Sequence, residues 1–267
     1  MEYLNKKKIF NNFMNNIFII TLISGSLITM NSSTWMSSWM GLELNLLSFI
    51  PLMKSKKMKT SKSMMIYFIV QASASFMLLM IILLMKLEPI FIKINLMFLL
   101  IQISLLMKLG SAPFHWWMPE MMNFLSWKNC VILMTWQKIA PIYLINLTNL
   151  SNFIYMSIFY SAFLGSILGI NQLSIKLILS YSSINHLAWL LISIMLNFYL
   201  FFIYFMIYMF NILMICYMMN NMNFTYLSEL YNFNNKNLLS MSLKLMLISL
   251  FLSLSGLPPF LGFLPKL

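Results

Sequence analysis

Glu43, Lys108, Lys138 and Lys266 each lie inside, or at a break in, a long apolar segment. An ionised side chain at the centre of a bilayer costs roughly 2.5–3.5 kcal/mol on insertion scales. Four such groups together cost about 10 kcal/mol, comparable to the stability of a whole domain. Groups kept at that cost are usually there to move ions or protons. Glu43 sits midway along Trp35–Met53. Lys108 directly precedes Gly110 and Pro113, so a broken helix could turn it toward the glutamate. Burial disfavours the charged form of either group, and an opposite charge nearby favours it. A glutamate that alternates between a lysine partner and isolation is therefore a movable proton switch. A static ion pair pinning two helices is the plainer reading, since breaking a buried pair is costly whatever its role. Lys138, flanked by Leu133–Trp136 and Ile139–Ile145, is too deep to snorkel and has no acid adjacent in sequence. A desolvated lysine exchanges its proton readily, which suits a relay. His186, in Ser182-Ser183-Ile184-Asn185-His186, could bridge such groups because imidazole titrates near neutrality. A hydrogen-bonded packing histidine is the alternative. His115 and Glu120 flank Trp116 and Trp117, a pattern that reads as interfacial anchoring.

The elements that hold these groups follow from composition. With 61% hydrophobic and 8% charged residues, the chain lies far from soluble proteins, about 25% charged. Its apolar residues come in continuous runs long enough to span hydrocarbon. They do not alternate with polar ones, as a transmembrane barrel would require. The expected fold is all-α, a polytopic transmembrane helical bundle of about nine spans: 12–31, 35–53, 63–85, 95–123, 129–148, 152–170, 175–196, 198–219 and 238–267. All 17 basic residues are lysine and all five acids glutamate, a bias that reads as an AT-rich genome, as do the 28 methionines. The net charge of +12 does not point to nucleic acid, because the lysines gather in short loops. Lys6–Lys8, Lys54, Lys56, Lys57, Lys59, Lys62, Lys128, Lys176 and Lys236 fall on one side, and Lys86 and Lys93 on the other. Lysine bias sets orientation, so the N-terminus faces the cytoplasm, or the matrix in a mitochondrion. Cys130 and Cys216 lack ligand spacing, and no Gly-x-Gly-x-x-Gly, cysteine cluster or haem-spaced histidine pair is present.

Two spans share a pattern. Gly110-x-x-Pro113-Phe114-x4-Pro119 recurs as Gly256-x-x-Pro259-Phe260-x4-Pro265, 146 residues later. Helix breakers inside a span free backbone groups that only protein or a watery cavity satisfies. Four spans lie between the fourth and ninth, so the copies cross in opposite directions, as inverted repeats with discontinuous helices do. Chance recurrence of Gly and Pro is the competing explanation. The same offset carries Glu43 onto the seventh span near His186, and Lys138 to position 284, beyond the chain. The chain thus reads as one membrane domain, 1–267, with a first five-helix unit over about 12–148 and a truncated second over about 152–267. The missing counterpart of Lys138, the position of Lys266 and the open second break lead to the expectation that Leu267 is not the natural terminus.

Five segments, Trp39–Asn45, Lys108–His115, Thr135–Pro141, Ser180–His186 and Gly256–Pro259 with Pro265-Lys266, carry a resemblance. Together they resemble, in order, the chain 2 family of mitochondrial NADH–ubiquinone oxidoreductase, of the insect type. That resemblance implies an antiporter-like subunit of respiratory complex I, with two inverted five-helix units, contributing to proton translocation across the mitochondrial inner membrane. It implies that Glu43 and Lys108 are the coupling pair, Lys138 the central relay lysine and Lys266 a second lysine nearer the next subunit. It also places His186 on the hydrated path between the lysines. It implies no cofactor in this chain: NADH, flavin, iron–sulfur clusters and ubiquinone belong to other subunits. The expected partners are other complex I membrane subunits and the lipid bilayer, with no nucleic acid, and the N-terminus on the matrix side. A free-standing cation/proton antiporter of the same fold, and a structural membrane anchor, remain the other readings.

Overall fold

Lipid offers backbone groups no hydrogen bonds, so a chain of apolar runs must close every amide bond within each run, which only a helix does. The computed structural model describes residues 2–54, 59–87, 94–148, 151–232, 238–258, 260, 262, 263 and 266. Among these the chain forms twelve α-helices and no strand. They are α1 (Glu2–Met30), α2 (Trp35–Met53), α3 (Lys59–Leu87), α4 (Ile94–Leu109), α5 (Trp117–Met122) and α6 (Trp127–Met134), followed by α7 (Trp136–Asn146), α8 (Asn152–Ile170), α9 (Ile175–Leu196), α10 (Phe198–Met222), α11 (Leu227–Asn232) and α12 (Leu238–Ser255). Among the described residues, five stretches are long and apolar enough to cross a membrane: Phe13–Met30, Thr60–Lys86, Asn152–Ile170, Ile175–Leu196 and Phe198–Met222. Of the nine expected spans, the fourth is broken between α4 and α5. The fifth is interrupted at Thr135, where no glycine or proline marks the change. Lys56, Lys57, Lys93, Lys236, Pro259 and Pro265 lie outside the described residues.

Helix starts follow sequence punctuation: Thr34, Ser126, Ser151, Ser174 and Asn197 occupy N-cap positions. Thr34 also accepts from the Ser37 amide at 3.3 Å. Serines inside spans return their hydroxyls to their own helix, as Ser104 does to Ile101 (2.7 Å) and Ser193 to Leu190 (2.7 Å). A buried hydroxyl is thereby satisfied without a partner helix.

The chain divides into two compact units, Met1–Leu109 with Gln137–Asn149, and Gly110–Trp136 with Leu150–Leu267. In the first, α1 packs on α2, α2 on α3 and α3 on α4. The α1–α2 contact is a crossing of glycines: a Cβ on Gly41 would stand 2.8 Å from the Gly25 carbonyl oxygen. Close approach through small residues replaces the hydrophobic drive that lipid does not supply. In the second unit α8 packs on α9, α9 on α10 and α5, and α10 on α6 and α12. Here a Cβ on Gly165 would meet the Asn185 amide nitrogen at 2.8 Å. The N-terminal ends of α6 and α9 are tied by Lys176, whose Nζ donates to the Leu125 carbonyl (2.6 Å) and lies 5.2 Å from the Trp127 ring. Ser174 pairs with Tyr226 across a single β-bridge beside them.

Candidate functional site

The break after α4 is built by Gly110, whose φ of +70° is the left-handed geometry that ends helices. The indole of Trp117 closes over it: a Cβ on Gly110 would stand 3.1 Å from the ring. Trp117 is fully buried while Trp116 is exposed, so Trp117 is a seal for the broken segment and not the interfacial anchor its neighbourhood suggested. A non-helical segment of this kind needs its amides and carbonyls met inside the protein, which is where a buried indole belongs.

Stopping α4 at Leu109 leaves Lys108 in its last turn, 7% exposed. The negative end of the helix macrodipole favours a cation there. The Lys108 carbonyl, freed by the break, accepts from Gln71 Nε2 of α3 at 3.1 Å. Glu43, on α2, belongs to the same unit. Its Oε1 is buried and, among the described residues, has no hydrogen-bond partner. The glutamate and lysine thus share a unit with no ion pair between them among the described residues, and one carboxylate oxygen is not held by a donor.

Lys138 opens α7 one turn beyond the Thr135 interruption, in this same unit, and is 2% exposed. The residue beside it anchors the helix. Gln137 Nε2 donates to Asn45 Oδ1 of α2 (3.0 Å), and Gln137 Oε1 accepts from the Tyr67 hydroxyl of α3 (3.4 Å). Asn45 follows Glu43 by two residues, so one amide bracket registers the lysine's helix against the glutamate's. Asn45, Gln137 and Tyr67 were not singled out by sequence. Their only signal is polar side chains in apolar segments, which says nothing of their meeting.

The second unit holds the other two candidates. His186, buried on α9, has Nδ1 2.5 Å from the Tyr204 hydroxyl of α10. Lys266 serves the end of α12. Gly256, at φ +79°, continues that helix into a left-handed turn, and the Gly256 and Leu257 amides donate to Ser253 (3.3 Å) and Leu252 (3.5 Å). These are the two bonds of a Schellman turn. Lys266 Nζ then donates to Leu254 (3.1 Å) and Ser255 (3.0 Å). All four terminal carbonyls are therefore met. At the end of α12 the expected open backbone groups are not found: the turn meets two carbonyls and Lys266 the other two. α12 also carries the half-buried Lys244, which sequence reading passed over.

Residues 32–267 match the family model described as NADH:quinone oxidoreductase/Mrp antiporter, TM. NADH-ubiquinone oxidoreductase chain 2 of Anopheles gambiae is 48% identical over 257 residues, covering 94% of this chain and 74% of that protein. The protein of the same name from Lumbricus terrestris is 35% identical, covering 92% and 74%. Among solved structures, a chain of respiratory complex I from Thermus thermophilus with bound Aureothin superposes with a TM-score of 0.83 at 19% identity. It covers 95% of this chain and 62% of that one. A chain of the Mrp complex from Dietzia sp. DQ12-45-1b gives 0.74 at 14% identity, covering 93% and 53%. The chain therefore spans 62% and 53% of the lengths of those two structural relatives. At these identities the two structures speak for the fold alone.

Proposed function

The chain belongs to the NADH-ubiquinone oxidoreductase chain 2 family, antiporter-like membrane subunits of respiratory complex I, and on that premise we propose that its buried charges carry protons across the mitochondrial inner membrane. The carrying observation is Lys138, 2% exposed at the start of a helix interrupted one turn earlier, in one unit with Glu43 and Lys108. A low-dielectric site holds an ammonium only while something offsets its charge. A carboxylate that approaches a lysine favours the protonated form, and one that recedes favours release. Glu43 and Lys108 form the switch, Lys138 the central relay, and His186 and Lys266 continue the path in the second unit. Glu43 suits the moving part because one of its oxygens meets no donor among the described residues. Lys266 suits a gate, since its ammonium is bound to carbonyls that a helix end can exchange.

Electron transfer from NADH to ubiquinone, with its flavin and iron–sulfur clusters, is assigned to other subunits, and the partners of this chain are neighbouring membrane subunits and lipid. The lysine distribution supports a matrix-facing N-terminus. The paired left-handed glycines, Gly110 and Gly256, support the reading of two inverted repeats. The test is Lys138→Met in the assembled complex, reconstituted in liposomes. Proton uptake per NADH oxidised is expected to collapse while the complex remains present. Normal uptake would refute the assignment and favour a structural anchor.

A further inference from the structure

Ser183 and His186 stand three residues apart on α9, and Tyr204 and Tyr208 four apart on α10. At helical spacing each pair shares one face. All four are buried, and they meet. His186 Nδ1 lies 2.5 Å from the Tyr204 hydroxyl. The Tyr208 ring centroid is 5.0 Å from that of the imidazole, tilted by 46°. The Tyr208 hydroxyl is hydrogen-bonded to Ser183, whose own proton goes to the Ser180 carbonyl at 2.7 Å. One side of the imidazole is therefore covered by two phenols from a single helix.

We propose that Tyr204 is the positioning residue for His186, accepting a hydrogen bond from Nδ1–H and leaving Nε2 as the nitrogen that takes up and releases a proton. The proposal rests on the reading of His186 as part of the proton path. Nδ1 is occupied by the phenol, so a proton exchanged with any other group must pass through Nε2. A neutral imidazole carries one proton, and the hydrogen bond made by one nitrogen decides the state of the other. With the fixed proton on Nδ1, Nε2 presents a lone pair. A proton binding there gives the imidazolium, and its release restores the neutral ring. Nothing at Nδ1 changes except that its bond to the Tyr204 oxygen, charge-assisted in the imidazolium, becomes stronger. Tyr208 packs against the ring and, tied to Ser183, holds its tilt.

The experiment uses the assembled complex in liposomes, with protons taken up per NADH oxidised counted per complex. Tyr204→Phe keeps the ring and removes only the acceptor. It is expected to lower the ratio as far as His186→Ala does, and the double variant no further, because Tyr204 acts through His186. Tyr204→Gln, whose amide oxygen can accept from Nδ1–H, is expected to restore part of the loss. This variant also decides the matter if the phenylalanine variant assembles poorly. Tyr199→Phe, at an exposed position on the same helix, is expected to pump like the parent. Normal pumping by Tyr204→Phe beside impaired His186→Ala would overturn the inference alone. So would losses that add in the double variant, or a glutamine variant that assembles without recovering. Normal pumping by His186→Ala would overturn both this inference and the role given to His186.

Discussion

Lys108 is buried and Glu43 half-buried, two groups of opposite sign in one compact unit, and among the described residues Glu43 Oε1 meets no donor. Removing one member of such a pair strands the other, whereas removing both relieves the strandedness. Glu43→Gln and Lys108→Met are each expected to impair pumping, and their effects on complex stability are expected to be non-additive. The double-mutant cycle should show coupling of about 0.5–3 kcal/mol, the range for interacting neighbours. Purely additive losses, measured by thermal inactivation of the assembled complex, would break the pairing. Sequence named these two residues because a charge in an apolar run is conspicuous by cost alone. It could not name Gln137, Tyr67 or Tyr204. A neutral polar side chain in a span is cheap enough to be ordinary, and its meaning lies in a partner 70 residues away for Tyr67 and Gln137, or on the next helix for Tyr204.

The long apolar elements were legible nearly to the residue, since α8 (Asn152–Ile170) and α9 (Ile175–Leu196) begin and end where polar punctuation brackets an apolar run. The interruption at Thr135 was not legible, because its neighbours include no helix breaker. Pro141 sits inside α7 without ending it. How elements pack was partly hidden as well, because a glycine in a span is equally a hinge or a contact. Gly165 is a contact, where an added methyl would press on the α9 backbone at Tyr181 and Asn185. Gly165→Ala is expected to cost about 1–3 kcal/mol through overpacking, read as a lower inactivation temperature and reduced His186-dependent pumping. Gly256 is different, since its φ of +79° is strained for any side chain and a Cβ would crowd Lys266 Nζ at 2.7 Å. Gly256→Ala is expected to displace the lysine from the α12 terminus, costing roughly 1–2 kcal/mol. Outside the spans, Glu229 receives the Thr225 amide at 2.6 Å and the Tyr226 amide at 3.2 Å. The Thr225 backbone bond is the main reason its carboxyl titrates below the ordinary range. A depressed carboxyl contributes stability above its ordinary value of about 4.3 and loses it as pH falls through the lowered one. Amide exchange at Thr225 and Tyr226 is expected to quicken only on acidification below that range, and Glu229→Gln should quicken it at neutral pH.

Across the whole molecule, the lysines in short loops are the expected determinant of sidedness. Lys54, Lys62 and Lys128 are exposed and fall, by span counting, on the side of the N-terminus, while exposed Lys86 falls on the other. The second unit adds a local reason for this order. Lys176 holds the Leu125 carbonyl and lies over Trp127, so the N-terminal ends of α6 and α9 meet at one level. Lys128, one residue beyond Trp127, is exposed beside them. Ammonium groups at such ends favour the more negative aqueous face, and the bias in short loops fixes the direction of every span that follows. Lys108 and Lys138 are buried and belong to neither face. A membrane-impermeant amine reagent applied to inside-out inner-membrane vesicles is therefore expected to modify Lys54, Lys62 and Lys128. The same reagent on right-side-out vesicles should modify Lys86 alone among these four. Lys138 should stay unmodified from both sides until the membrane is dissolved and the protein unfolded. Peptide mapping of the modified lysines decides it. Modification of Lys54 and Lys86 from the same side would overturn the threading of the first three helices. Ready modification of native Lys138 would remove the desolvated site on which the relay depends.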